Sequence, residues 1–305
     1  MYKVPRIWYN SLATRFFIFR VIAGGDMLNN VFEKYDPTFA TLYVYNLWKA
    51  YDGVTALNGL SLYMNKGEVL GLIGPNGSGK TTTIKIILGL VKKDQGTVNV
   101  VGYDIDKEVS KYKSYLGYVP EAANIPEYLN SYEFLYYVGR IRNIPEDVLR
   151  KRIDELFSKF NLFEKKKSLI TSLSKGMKQK LVFSSTLLED PKILFLDEPF
   201  IGIDPEGQFE LKSMIKELVK SGCSVLLSTH LLDLAERFCD RVAIISRGKN
   251  VATGNLQELK DLAHAGKDTT LEQLFLTLTK ESLVQENTES PLKQKKSFLS
   301  RLRRM

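Results

Sequence analysis

The stretch Gly74-Pro75-Asn76-Gly77-Ser78-Gly79-Lys80-Thr81 decides how the chain is read. It fits the pattern G-x-x-x-x-G-K-[ST], follows an apolar run from Val69 to Ile73, and opens a helix predicted from about Lys80 to Leu90. Strand, glycine-rich turn and helix in that order form a cradle for polyphosphate. Backbone N–H groups must approach the phosphates closely, so Gly77 and Gly79 are expected to remove side chains that would obstruct them. The helix start adds unpaired N–H groups and a positive dipole end. Lys80 is long enough to reach the β- and γ-phosphates, and the Thr81 hydroxyl is placed to ligate Mg²⁺.

A second cluster of chemistry lies farther along. Lys192-Ile-Leu-Phe-Leu-Asp197-Glu198 puts two carboxylates at the C-terminal end of an apolar strand, the edge at which open α/β sheets bind ligands. Asp197 is the natural acceptor for Mg²⁺-bound water opposite Thr81. Glu198, one residue on, can orient or deprotonate an attacking water. The run Cys223 to Thr229 ends in Ser-Thr-His, so His230 sits at the same edge, where a neutral imidazole could hold a γ-phosphate or the water.

Around these motifs the pattern is that of an α/β chain. Short β-rich runs occupy 42–48, 57–64 and 68–73; Gln95 and Gly96 read as a turn before a strand at 97–101. Residues 122–190 read as helical. Ser131 is the expected cap of a helix to Arg142, Pro145 starts a second that runs to Phe160, and 174–189 form a third. Strands at 192–197, 223–229 and 241–246 then alternate with helices at 205–221 and 231–239, followed by helices at 255–264 and 270–280. Runs such as Ile193-Leu194-Phe195-Leu196 and Val225-Leu226-Leu227 are apolar on successive residues, which indicates a parallel sheet covered on both faces.

Bulk composition narrows the function. Of 305 residues, 44% are hydrophobic and 26% charged, values of an ordinary globular protein. The net charge of +8 resides at the ends: Lys3, Arg6, Arg15 and Arg20 fall in residues 1–25, and Lys293, Lys295, Lys296, Arg301, Arg303 and Arg304 in 291–305, with no acid in either stretch. Those ten cations exceed the whole surplus and leave residues 26–290 at −2, which argues against a nucleic-acid-binding core. No apolar run reaches the roughly 18 residues a membrane span needs. Cys223 and Cys239 form neither a disulfide framework nor a metal-ligand spacing, which points to reduced cytosolic thiols. Met27 leaves open where the native chain starts. The tail around Phe298, Leu299 and Leu302 reads either as a solvated end or as a segment that lies on an anionic membrane.

Between the cradle and the acid pair lies Leu173-Ser174-Lys175-Gly176-Met177-Lys178-Gln179. With it, the order of motifs over residues 42–250 resembles the ATP-binding-cassette (ABC) ATPases: cradle at 74–81, Leu-Ser-x-Gly-x-x-Gln signature, Asp197-Glu198-Pro199, Gly202-Ile-Asp204 in the place of the D-loop, and His230 as the switch histidine. The resemblance implies a P-loop NTPase fold with a mostly parallel core sheet, an antiparallel β subdomain and a helical subdomain at about 122–190. The domain would span 41–254, after an N-terminal extension of 1–40 and before C-terminal helices at 255–280 and a basic tail at 281–305. It implies ATP and Mg²⁺ as cofactors, ATP held by Gly74 to Thr82 with Tyr51 stacked on adenine, and Mg²⁺ held by Thr81, Asp197 and Glu121. Lys80, Glu198 and His230 would be catalytic. Two such chains would sandwich two ATPs head to tail, the cradle of one facing Ser174 and Gly176 of the other, with Asp204 across the interface; a helix capped by Ser174 offers an anion site of the right kind.

Three positions depart from the common family pattern. Glu121 stands where glutamine is usual, and Lys175 and Met177 replace a glycine and a glutamine of the signature. A cation at 175 would offset the charge at Glu121 beside the γ-phosphate. These variants, and Thr270-Leu-Glu-Gln-Leu-Phe-Leu-Thr-Leu-Thr, are similar to an exporter subgroup whose membrane permease is a separate chain. The resemblance therefore implies a cytoplasmic ATPase subunit, peripheral on the plasma membrane, that drives a permease through its helical region. Alternatives are a soluble ABC ATPase without a permease, which usually carries two cassettes or long insertions, and an importer's ATPase, against which Glu121 and Lys175 weigh. Here about 92 residues separate Lys80 from Leu173, enough only for the helical subdomain.

Overall fold

Asp52-Gly53 joins two twelve-residue strands, β1 (Ala40–Tyr51) and β2 (Val54–Asn65), and both turn residues have positive φ, 45° and 83°. A two-residue hairpin turn whose twist matches its strands requires that conformation. The structure, a computed structural model, describes residues 40–122 and 124–280. The readings of the N-terminal extension, of Met27 and of the basic tail fall outside the described residues. With β4 (Gln95–Val100) and β5 (Tyr103–Asp104) the hairpin forms an antiparallel sheet ordered β2-β1-β4-β5. Gln95 and Gly96 belong to β4, correcting the turn expected there. Gly96 has φ 101°, and a Cβ on it would lie 2.4 Å from the Asn46 carbonyl oxygen, so the glycine marks a close strand crossing.

The second sheet has the order β10-β9-β3-β8-β7-β6, from β3 (Val69–Ile73), β6 (Leu116–Val119), β7 (Ile193–Asp197), β8 (Ser224–Thr229), β9 (Arg241–Ser246) and β10 (Lys249–Gly254). Its pairings are parallel except β9 with β10. Successive residues point to opposite faces, and both faces are dry. Ile193, Phe195 and Leu226 pack toward the antiparallel sheet and helix α1 (Lys80–Ile87), where Ile84, Ile86 and Ile87 meet Leu42, Val44 and Leu62. Leu194, Leu196, Val225 and Leu227 face the other way, into a cluster with helices α3 to α7.

After the short helix α2 (Val109–Lys113), those helices are α3 (Ser131–Ile141), α4 (Glu146–Lys159), α5 (Lys175–Thr186), α6 (Pro205–Lys220) and α7 (Leu232–Phe238). Helix α8 (Leu256–Leu262) and the helical residues 271–280 cover β3 and β9, with Leu259, Leu262, Leu271 and Leu274 against Ile73, Val242 and Ile244. Strands β6 and β10 have no counterpart in the sequence reading, and the described residues between 122 and 130 carry no helix.

Asn130, not Ser131, caps α3. Its side chain accepts the Glu133 N–H, and the Glu133 carboxylate accepts the Asn130 N–H, each at 2.9 Å. Ser131 is already inside the helix, its hydroxyl 3.4 Å from the Ser168 carbonyl. Asn130→Ala should therefore lower stability by about 1 kcal/mol in urea unfolding. Ser131→Ala should cost less, and the reverse order would return the cap to Ser131.

Candidate functional site

Parallel register brings the sequence motifs together. Ile73, the last residue before the cradle, lies opposite Thr229, and Asp197 lies opposite Ser228. The loops after β3, β7 and β8 thus leave the sheet side by side at its C-terminal edge, carrying Gly74–Thr82, Asp197–Glu198 and Thr229–His230 to one place.

Within the cradle each glycine has a different reason. A Cβ on Gly74 would sit 2.2 Å from the Ile245 carbonyl oxygen. Gly79 has φ 109°, and its Cβ would sit 2.6 Å from Leu57 and 2.9 Å from the Ala56 carbonyl. A Cβ on Gly77 meets nothing within 4 Å, but its φ of 78° is left-handed. Gly79 thus has a packing reason of its own within the protein, in addition to the path for phosphate expected from the motif. The β9–β10 turn underpins the loop: Gly248 N–H donates to the Ser78 carbonyl at 2.9 Å. Sequence reasoning missed Gly248, whose signal was a strand followed by Arg-Gly.

Pro75, Asn76 and Gly77 are exposed, as is Thr81; Thr82 is half-buried. Lys80 is buried and folds back, its ammonium donating to the carbonyls of Gly74 at 2.7 Å and Pro75 at 3.2 Å. Burial drives its pKa below the ordinary lysine value, against the opposite pull of Glu198 and Asp197. The Ser78 hydroxyl is buried without a hydrogen-bond partner. An open left-handed glycine, a desolvated cation held only by carbonyls and an orphaned hydroxyl at a helix start together fit a polyphosphate.

Both acids of the pair are buried. Glu198 has φ 47°, a conformation that costs a bulky L-residue roughly 1–2 kcal/mol. Both of its carboxylate oxygens are engaged, and Oε2 keeps a lone pair free of these contacts. Oε2 accepts the Thr229 hydroxyl at 3.0 Å, and Oε1 accepts the His230 N–H at 2.9 Å and meets His230 Nδ1 at 2.7 Å. An ionised carboxylate only accepts, so this contact suits the imidazole tautomer with its proton on Nδ1. His230 therefore addresses Glu198 directly, a contact the sequence did not suggest. Glu121 is exposed beyond β6. Tyr118 senses it and Asp197 together: burial first, then those two carboxylates, push the Tyr118 hydroxyl above the ordinary tyrosine pKa.

Ser174, Gly176 and Asp204 form a separate group. Ser174 caps α5, its hydroxyl accepting the Met177 N–H at 3.2 Å, and Asp204 caps α6, accepting the Gly207 N–H at 3.3 Å. The two tips touch: a Cβ on Gly176 would lie 3.6 Å from Asp204 Oδ1, and the Lys175 ammonium lies against Gly202. Lys175 thus packs on the Asp204 loop of its own chain. Among the described residues no hydrogen bond or ion pair joins residues 74–82 to 173–179. Tyr51 ends β1 with its ring exposed and the Lys49 ammonium 5.2 Å from its centroid.

The family model for ABC transporters matches residues 57–201. The chain is 36% identical over 227 residues to a linearmycin resistance ATP-binding protein of Bacillus subtilis, covering 74% of this chain and 72% of that one. It is 35% identical over 218 residues to a Nod factor export ATP-binding protein of Ralstonia nicotianae, covering 72% and 68%. A solved ATP-binding subunit of an ABC transporter superposes with a TM-score of 0.73 at 32% identity, over 78% of this chain and 99% of that structure.

The separate reasons for the cradle glycines can be tested. Gly77→Ala should fold with a loss of about 1–2 kcal/mol in thermal or urea unfolding. Gly74→Ala, which drives a methyl into backbone, should lose far more. Equal losses would contradict the steric assignment.

Proposed function

Because the chain belongs to the ABC transporter family as one of its ATP-hydrolysing subunits, we propose that it powers an exporter whose permease is a separate membrane chain. The observation that carries this reading is the convergence of Lys80, Asp197, Glu198 and His230 at one sheet edge. The direction of transport is supported by relatives named for drug resistance and for Nod factor export, and by Glu121 and Lys175. Among the described residues no helix is long and apolar enough to cross a membrane; a position on the cytoplasmic face of the plasma membrane follows from this role. The exposed Tyr128, Tyr137, Phe163 and Leu169 of the helical region offer the permease an apolar docking face.

ATP would bind through backbone N–H groups of the Gly74–Thr82 loop, Pro75 having none to give, the Lys80 ammonium leaving its carbonyl partners for the β- and γ-phosphates, with Tyr51 stacked on adenine. The donors Thr81, Asp197 and Glu121 are hard oxygens suited to Mg²⁺, which, when bound, neutralises charge on the transferring phosphoryl group. Among the described residues no group of three or more His, Cys, Asp and Glu side chains could hold a metal ion by itself. Glu198 accepts the proton of the attacking water, and His230 keeps Glu198 oriented.

Two copies complete the site. The Ser174 tip has an N-capped helix start and Gly176, with Asp204 beside it and, among the described residues, no bond to the cradle of its own chain. A γ-phosphate held by the cradle of a second copy supplies an anion for it. Closure follows ATP binding, and hydrolysis releases it.

Glu198→Gln should retain Mg·ATP affinity, accumulate dimers and lose turnover by at least about 100-fold; ordinary steady-state hydrolysis would remove Glu198 as the base. The dimer has an independent test. Cys223 and Cys239 are poor nucleophiles, since burial raises their thiols to about 11 and about 12. A mixture of Asn76→Cys and Ser174→Cys chains should crosslink in Mg·ATP and not without nucleotide. No crosslink at saturating Mg·ATP would exclude the head-to-tail arrangement.

A further inference from the structure

Thr229 ends β8 at 1% exposure, and both sides of its hydroxyl are committed. It accepts the Leu231 N–H at 3.1 Å and donates to Glu198 Oε2 at 3.0 Å. With a lone pair taken by Leu231, the hydroxyl hydrogen is directed at the carboxylate. The other carboxylate oxygen is held by His230, through its backbone N–H and Nδ1. Residues 229–231 thus grip both oxygens of a glutamate whose backbone is left-handed and whose N–H donates to the Ser228 carbonyl at 3.0 Å. A strained residue held from both ends keeps one orientation only while its partners remain.

We propose that Thr229 is a positioning residue for hydrolysis. Its hydroxyl fixes the rotamer of Glu198 and ties it to the backbone after His230, so that any shift of the 229–231 segment reorients the carboxylate. The inference rests on the reading of Glu198 as the base. Packing does not need the hydroxyl: valine has the same branched shape and suits a buried strand. Glu198 can therefore lose its Thr229 partner while the edge of the sheet is kept.

The test is ATP hydrolysis by the full chain in Mg·ATP. Thr229→Val should lower kcat about ten- to hundredfold, the scale of one hydrogen bond to a charged group, and leave KM within about twofold. Thr229→Ser, which restores the donor, should recover kcat to within about threefold of wild type. In single-turnover assays Thr229→Val should add nothing to Glu198→Gln, because both act through the same carboxylate. Thr229→Ala is the second hydroxyl-free variant should valine disturb the strand. Wild-type kcat in the hydroxyl-free variants would overturn the proposal. So would a serine variant as slow as valine, or a loss confined to KM or to the thermal midpoint. Normal turnover in Glu198→Gln alone is a separate failure, which removes the base and not the Thr229 contact.

Discussion

In-register parallel pairing of β7, β8 and β3 is the constraint on which the site depends. Each strand delivers a different chemical group, and only pairing at Asp197–Ser228 and Ile73–Thr229 brings all three to the same height. A slip of one residue would turn every side chain to the opposite face. The register is secured because both faces are buried: Leu194, Leu196, Val225 and Leu227 belong to one cluster and Ile193, Phe195 and Leu226 to another. The hydrophobic core thus holds the catalytic edge in place.

At that edge the protein stores local cost in two forms. Glu198 has a left-handed backbone, held by its bonds to Ser228, Thr229 and His230 and by the Ile201 N–H on its carbonyl. Lys80 is a desolvated cation whose nearest partners are two carbonyls, weaker counterparts than a phosphate. A polyphosphate offsets the second cost when it enters, since its negative charge takes the place of the hydration that burial removed. The cradle is therefore built for its ligand at some expense to its own stability, and the turn at Gly248 and the packing of Gly74 and Gly79 bear that expense.

The tips of α5 and α6 form a second rigid piece. Gly176 faces Asp204, and Lys175 lies along Gly202, a residue of φ 71° at which a Cβ would collide with the lysine. The signature and the Asp204 loop are thereby packed as one surface within a chain. Lys175, where the family commonly has glycine, adds a long side chain to that junction, so its charge acts first on its own loop.

By itself the sequence determined the chemistry and the layer architecture. The cradle, the acid pair and His230 are legible because local spacing dictates them, and the double-sided strands because short apolar runs of Ile, Val, Leu and Phe between turn signals suit a strand buried on both faces. Strands β6 and β10 were not legible: one has four residues, and the other alternates polar with small side chains beside a turn. The cap at Asn130 was misread although its partner Glu133 is only three residues on, because the adjacent Ser131 is also a capping residue type; the turn assigned to Gln95-Gly96 was misread because Gly96 answers to a strand crossing at Asn46. Tertiary structure alone decided that Gly74 and Gly79 answer to Ile245, Ala56 and Leu57, and that Thr229 and His230 grip Glu198. Those contacts join residues about 22 to 171 positions apart, and local residue preferences carry no information about which distant groups the register will bring face to face.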